Sequence, residues 1–517
     1  MLKMKGSCAT LIQIYAMKIS TASPESVKRG RSLLILLFIS ASLILFFSEL
    51  VEKSMFIDGV WYAVISRNLA EGVGSFWFPR FSETIFPNFH EHPPFIFGLQ
   101  AAFFGVLGDH WLTERFFSFC HYLATGLLIA RLWRKGSKSW PLLRGYWILP
   151  LFLWQVNLVT YYFQPANLLD ASISLLGLAS IWCMWQGLHH RGRLAWLAAA
   201  GFMLVAGFLS KGVVALYPLA FIPLYGRICR GYSFKQIFLN TAWVGASFAF
   251  LLVVLVSVNP LAYESLSKYI DVQLLASLRG ERRLYYYRSN RFYIVIQLMW
   301  ILVPMVLALL GSYLARRWMK FELKEEEVDK REYTIKLAWT YFALGLCASL
   351  PIMISPRQAI PYLLPSIPFF SLAFAWWAGP SLIQFLARWK RDWKLTFTIA
   401  KGGAWMAVCL ALAFCAIKVG DMNNRDAAVI QDSNLIGQVV GENQTISSTT
   451  YNMYISGYLM RYDKISLDTT ETQHSFLLSK KDEPINRTQY VKIPLPTLEY
   501  DLYQKKEEES SFTQHTK

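Results

Sequence analysis

Several ionisable side chains of this 517-residue chain stand at the margins of apolar runs: Asp58, Glu91, His92, Asp170, Lys211 and Arg357. A charge at the end of a membrane-spanning run is costly unless it is hydrated or paired, so each is a functional candidate by default. Arg357 lies in "SPRQAIPYLLPSIP", a tight proline-flanked turn, where a fixed guanidinium can grip a phosphate. Asp170, in "YYFQPANLLDASISLL", has no basic neighbour in sequence to neutralise it. Asp58 opens "DGVWYAVISRNLAEG" and suits either a helix N-cap or a reacting carboxylate. Lys211 suits a cation in a site or a side chain snorkelling between two spans. His90, Glu91 and His92 form an HEH triplet followed by Pro93 and Pro94. The prolines keep the chain extended there, so alternate residues share a face, and two imidazoles beside a carboxylate suit zinc or another divalent cation.

The elements that must position these groups are membrane spans. Hydrophobic residues make up 54% of the chain and charged ones only 16%, against roughly 25% charged in a soluble domain. Apolar runs fall near 33–51, 114–132, 145–163, 167–187, 194–210, 212–226, 238–259, 292–314, 336–354, 359–381 and 398–419, and 194–226 also suits a single broken helical hairpin. This excludes a soluble enzyme with a greasy core. The formal charge of +17 sits in short loops between spans, the pattern that sets membrane orientation, so nucleic acid is not an expected partner. Seven scattered cysteines without a C-x-x-C pair indicate neither a zinc knuckle nor a disulfide framework. Lys18, Lys28, Arg29 and Arg31 precede "SLLILLFISASLILFFSELV", which is longer than a signal peptide's apolar region and lacks a following small-residue cleavage site, so a retained first span is expected.

With the N-terminus inside, the inner segments hold 28 Lys and Arg, and the outer loops before the last span hold twelve. That bias orients the chain and puts the candidate residues on the outer side. The reading is an all-α polytopic membrane protein of about 11–13 transmembrane helices. It comprises a cytoplasmic segment at 1–32 and a transmembrane region at 33–419, with long outer loops at 52–113 and 260–291. The first loop reads as amphipathic helices lying on the membrane, and the second ends in a basic, tyrosine-rich cluster holding Arg282, Arg283 and Arg291. A small mixed soluble domain at 420–500 and a disordered tail at 501–517 follow on the outer side.

The order of these motifs resembles the C-type glycosyltransferases that use polyprenyl-phosphate sugars, specifically the protein O-mannosyltransferase and lipid A aminoarabinose transferase superfamily. Asp58 with Tyr62 matches the aspartate and tyrosine that open that family's first outer loop. "HEHPPFIFGLQAAFFGVLG" resembles its Glu-Lys-Pro-Pro or His-Pro-Pro element, Asp170 its second acid, "LSKGVVALYPL" its Ser-Lys-Gly turn, and Arg357 before "YLLP" its late basic residue. The resemblance covers about residues 50–375. Three departures stand out: Gly59 replaces the family's usual second acid, Trp61 a frequent basic residue, and His92 the lysine.

The resemblance implies a membrane-embedded transferase moving a sugar from a polyprenyl-phosphate donor to lipid A, another envelope glycan or a protein hydroxyl, with inversion, at the outer face of a bacterial inner membrane. Asp58 would act as base or acceptor-positioning carboxylate, with Asp170 supporting it. Lys211, Arg357 and Arg291, or the Arg282–Arg283 pair, would hold the phosphate. Tyr62, Glu91 and His92 would orient the sugar phosphate, or His90, Glu91 and His92 a divalent metal. A transporter or lipid flippase is the alternative class, against which stands the gathering of charges at one face instead of mid-span.

Overall fold

In hydrocarbon every backbone N–H and C=O must be bonded within its own segment, so the apolar runs fold as helices. A computed structural model of the chain describes residues 24–279, 291–318, 325–422, 424–470, 473–485 and 489–506. Helix α1 (Pro24–Ser42) continues through a π-helical turn to Leu50. The first long loop carries α2 (Ile57–Ala70) and α3 (Phe95–Leu107), and α4 (Thr113–Gly136) returns across the layer. The run at 145–163 is broken into α5 (Ile148–Gln155) and α6 (Leu158–Phe163). Asn157 makes the break: its backbone is extended, its carboxamide oxygen caps α6 by accepting from Val159 N, and its Nδ2 donates to the Ile301 carbonyl at 2.9 Å.

Helix α7 (Leu169–Gly187) pairs with α8 (Arg193–Lys211). The chain then reverses at Gly212, whose φ of +73° is a conformation that favours glycine. It returns as a 3₁₀ segment, Gly212–Ala220, leading into Phe221–Tyr225. A Cβ on Gly207 would lie 3.0 Å from the Ala215 Cβ, so the two arms touch directly: 194–226 is a broken hairpin with Lys211 at its tip. The steeper rise of a 3₁₀ segment, about 2.0 Å per residue against 1.5 Å, lets the shorter arm cover comparable depth. Five long helices complete the bundle: α9 (Phe234–Val258), then, after α10 (Pro260–Tyr269) in the second loop, α11 (Tyr293–Trp318), α12 (Glu325–Ser349) and α13 (Ile367–Asp392), with α14 (Lys394–Lys418) last.

Eight helical stretches among the described residues are long and apolar enough to cross a membrane. One of these, 193–230, is the hairpin, while 148–163 and 169–187 fall short because of the break at Asn157 and the polar Asp170, Ser172, Ser174 and Ser180. Side chains tie the helix ends into two faces. On one, Tyr225 Oη meets His189 at 3.1 Å and Trp376 Nε1 donates to Ser137 at 3.2 Å. On the other, Lys211 meets Asp170, and Gly420 N donates to the Val51 carbonyl at 2.8 Å. That last bond sets α14 beside α1, so the polypeptide beyond residue 420 emerges next to the first long loop.

Beyond residue 420 two helices, α15 (Ala427–Val440) and α16 (Met453–Tyr462), pack with a mixed five-stranded sheet. Its strands are β1 (Thr445–Ser448), β2 (Ser466–Asp468), β3 (Phe476–Lys480), β4 (Tyr490–Lys492) and β5 (Tyr500–Lys505), in the order β2-β1-β3-β5-β4. β1 is parallel to both neighbours, and β5 is antiparallel to β3 and β4. All but the first residue of β5 therefore falls in the segment 501–517 expected as a disordered tail; Leu502 and Tyr503 are buried in the sheet, and residues 507–517 lie outside the described residues.

Helix α2 is enclosed between this unit and the bundle, with buried residues around its whole circumference, and does not lie on a membrane surface by one face. Trp61 stacks on Phe81 with centroids 3.8 Å apart and donates from Nε1 to the Met453 carbonyl. Arg67 donates to the carbonyls of Met460 and Arg461. Arg461 in turn forks onto Glu114, at 3.1 and 2.9 Å, and reaches Asp109 at 2.6 Å. Arg461→Ala would leave the buried Glu114 carboxylate without its guanidinium, a loss of about 3–5 kcal/mol. The expected outcome is a lower thermal midpoint and faster proteolytic release of residues beyond 420, measured on the purified protein in detergent.

Candidate functional site

Asp58 stands in the first turn of α2, where a carboxylate is favoured by the helix dipole, and Tyr62 follows one turn later on the same side. Gly59, between them, is the point of closest approach to the 165–168 turn: a Cβ there would sit 1.9 Å from the Ala166 carbonyl oxygen. No side chain fits, so the family's second acid has no room at this position. Asn167, in the left-handed region with φ +56°, donates from Nδ2 to the Gly59 carbonyl at 3.0 Å. Its Oδ1 accepts from Gln100 Nε2 at 2.7 Å, and Gln100 Oε1 accepts from Ser66 Oγ at 2.8 Å. Arg115, buried on α4, spans the same junction, donating to the carbonyls of Glu52 and Ser54 and to that of Pro165. The two acid-bearing segments are thus tied by backbone contacts.

Asp170 sits in the first turn of α7 and accepts a hydrogen bond from Lys211 Nζ. The Lys211 ammonium also lies 4.6 Å from the centre of the Tyr362 ring, a cation–π contact. The hairpin tip is held by Tyr269, which donates to the Lys211 carbonyl at 3.4 Å and whose hydroxyl occupies the space a Cβ on Gly212 would need. The Ser-Lys-Gly order therefore has a structural reason: glycine makes the reversal and admits the tyrosine.

Asp170, Lys211, Arg357, His92, Tyr269 and Tyr362 line a cavity of about 590 Å³ at the end of the bundle nearest the C-terminal unit. One wall is apolar and opens sideways, with Val214 50% and Ile354 65% exposed. Asp58 lies beside this cavity, within electrostatic range of Lys211, Arg357, Asp170 and Glu91. Arg291 is joined to the same rim through its backbone, since Gln358 Nε2 donates to its carbonyl at 3.0 Å, but its exposed side chain does not line the cavity. Arg282 and Arg283 lie outside the described residues.

The HEH triplet separates. His92 packs edge-on to Tyr62 at 5.9 Å, whereas His90 faces Phe78 at 5.5 Å with its Nδ1 buried and unbonded. Among the described residues no three His, Cys, Asp or Glu side chains gather as a metal-ligating group. His90, Glu91 and His92 are not arranged as the shared ligand set expected from their alternation, because the chain bends at Glu91 and His92 on its way into α3 instead of staying extended.

Burial pushes the Asp58 carboxyl up to about 6; Lys211 and Arg357 oppose this, while Asp170 and Glu91 add to it. Burial, reinforced by Asp58, raises the Tyr62 phenol well above its ordinary value, so it remains a hydrogen-bond donor at neutral pH. Burial lowers the His90 imidazole, and Lys268 lowers it further.

The sequence does not single out Tyr362, Tyr269, Arg115, Asn167 or Gln100. Tyr362 and Asn167 lie inside the Arg357 and Asp170 motifs, and Arg115 is one basic residue among the twelve of the outer loops. Nothing local marks Gln100 or Tyr269, whose roles depend on long-range packing.

The fold is shared with solved structures. ArnT from Cupriavidus metallidurans, in the apo state and bound to undecaprenyl phosphate, matches this chain with TM-scores of 0.58. Identity is 14% and 13%, and the match covers 91% of this chain and 97% of that one. The archaeal oligosaccharyltransferase AglB from Archaeoglobus fulgidus matches with a TM-score of 0.40 at 11% identity, over 87% of this chain and 69% of that one. The fold is the one the sequence resemblance implies. No protein-family model matches the sequence. No curated protein matches it either.

Two outcomes test this geometry. A carboxyl raised from about 3.8 to about 6 leaves the folded protein binding a proton that the unfolded chain releases, so its contribution to stability is present below pH 3.8 and lost as pH rises through 6. Asp58→Asn, which mimics the protonated form, should raise the thermal midpoint at pH 7.5 and leave it unchanged below pH 4. Gly59→Ala should lower the midpoint at both pH values, because its Cβ drives α2 off the Ala166 carbonyl.

Proposed function

We propose that this chain is an integral membrane glycosyltransferase that moves a sugar from a polyprenyl-phosphate donor to an acceptor of the cell envelope. The observation that carries this reading is the joining of two cations, Lys211 and Arg357, to an apolar wall that opens sideways, with Asp58 alongside. A lipid-anchored phosphate needs that combination: its tail enters from the membrane while its phosphate meets the ammonium and guanidinium. The existence of a chain of the same fold crystallised with undecaprenyl phosphate supports the donor class.

In the proposed reaction the acceptor hydroxyl oxygen attacks the anomeric carbon and the bond from that carbon to the phosphate oxygen breaks on the opposite face. Polyprenyl phosphate leaves against Lys211 and Arg357, and the hydroxyl proton passes to the Asp58 carboxylate. One displacement inverts the anomeric centre. A carboxyl that titrates near 6 is ionised at neutral pH yet basic enough to accept the proton. Asp170 fixes the Lys211 ammonium, and Tyr62, Glu91 and His92 orient the sugar phosphate. The site faces the periplasm of a bacterial inner membrane in this reading, which rests on the excess of Lys and Arg at the opposite face. Lipid A, another glycan and a protein hydroxyl all suit as acceptor.

The transporter alternative is separated by one assay. Purified protein is incubated with radiolabelled polyprenyl-phosphate sugar and an envelope extract, and release of polyprenyl phosphate is followed. A transferase releases it, and Asp58→Asn should cut the rate by about 10²–10⁴-fold. The wild-type rate should fall as pH drops through about 6. Lys211→Ala and Arg357→Ala should weaken donor binding. Movement of intact donor without release, or full activity of Asp58→Asn, would overturn the assignment.

A further inference from the structure

A second groove, of about 510 Å³, lies at the opposite end of the bundle between α11, α12 and α13. Its mouth is basic. Arg316, near the end of α11, and Arg331, near the start of α12, both line it and are close enough for their charges to repel. Among the described residues no Asp or Glu lines the groove, and neither guanidinium is paired with a carboxylate. The nearest acid in sequence, Glu332, is held by Lys336 at 2.6 Å on the exposed side of α12. Two like charges at the edge of a low-dielectric layer are unfavourable unless an anion is shared between them.

Deeper in, the groove changes character. Phe342 lies three helical turns below Arg331 on α12, a depth of roughly 16 Å at helical rise. Between them the wall is aromatic: Trp339 meets Trp377 edge-on at 5.0 Å, and Phe342 meets Trp377 at 5.5 Å. Trp339 is 53% exposed and Tyr313 57% exposed, so the groove is open toward the lipid side. A site with a doubly cationic mouth, an aromatic interior and a lateral opening fits an amphiphile and not a free ion. The interfacial depth of the arginines fits a headgroup at the membrane surface.

We propose that this groove binds an anionic glycerophospholipid, with the phosphodiester between Arg316 and Arg331 and an acyl chain along Trp339, Phe342 and Trp377. The site lies on the face opposite the sugar-phosphate cavity and shares no residue with it, so it stands or falls independently of the transferase reading.

The test uses the purified full chain in nanodiscs of phosphatidylglycerol or phosphatidylcholine and reads retained lipid by native mass spectrometry. The wild type should retain phosphatidylglycerol by roughly tenfold over phosphatidylcholine, as two interfacial cations allow. Arg316→Gln with Arg331→Gln should erase that preference, while Arg316→Lys with Arg331→Lys should keep most of it. Excess inorganic phosphate should not displace the lipid. A photoactivatable phosphatidylglycerol should label the peptides carrying Trp339 and Trp377 in the wild type, a readout that needs no variant to fold. Equal retention of both lipids, displacement by phosphate alone, a preference that survives in the Gln pair, or labelling confined to other helices would overturn the proposal.

Discussion

The charged cavity depends on one backbone contact, the approach of α2 at Gly59 to the carbonyl of Ala166. Asp58 and Asp170 belong to segments more than a hundred residues apart, and the hydrogen bond on the Asp170 carboxylate comes from Lys211 on a third helix. Their relative position is set by a main-chain junction that Asn167 ties to Gly59 and Arg115 ties to residues 52–54. Each bond in that junction ends on a carbonyl oxygen, so it fixes backbone without engaging either carboxylate.

The charges are then distributed unequally. Lys211 has a hydrogen-bonded partner in Asp170 and an aromatic face in Tyr362, so its ammonium is fixed. Asp58 is influenced by both cations, yet burial outweighs them and its carboxyl is pushed upward. The geometry thus sets an acid bonded to a cation beside a buried acid that feels both cations.

Much of this was legible in sequence because membrane folding is dominated by a coarse requirement. Internal backbone bonding in an apolar medium makes long apolar runs into helices, and the expected fold class follows. The Ser-Lys-Gly turn, Asp170 and Arg357 could be read because each combines a charge with a local breaker of helix geometry. What was not legible depends on chain closure. The separation of His90 from His92 follows from the sharp entry into α3, and the enclosure of α2 follows from α14 lying beside α1, which returns the C-terminal polypeptide to the first loop. The polar composition beyond residue 420 suggested a small mixed unit, but not that its last strand would be Tyr500–Lys505, whose Tyr500, Leu502 and Tyr503 face a core that only the assembled sheet creates.

Two of the three departures from the resembled motif, Gly59 and Trp61, acquire a common cause in this arrangement. Where a second acid would follow Asp58, glycine lets the backbone close onto Ala166. Where a basic residue would stand, Trp61 stacks on Phe81 and bonds the carbonyl of Met453. Both positions on α2 are used for docking, one against the bundle and one against the C-terminal unit. A charged side chain at either would be desolvated without a partner among these neighbours. The cationic side of the site is consequently supplied from elsewhere, by the hairpin tip at Lys211 and the proline-flanked turn at Arg357. In the proposed site α2 contributes Asp58 and Tyr62, while Gly59, Trp61 and Arg67 hold the membrane bundle and the C-terminal unit together.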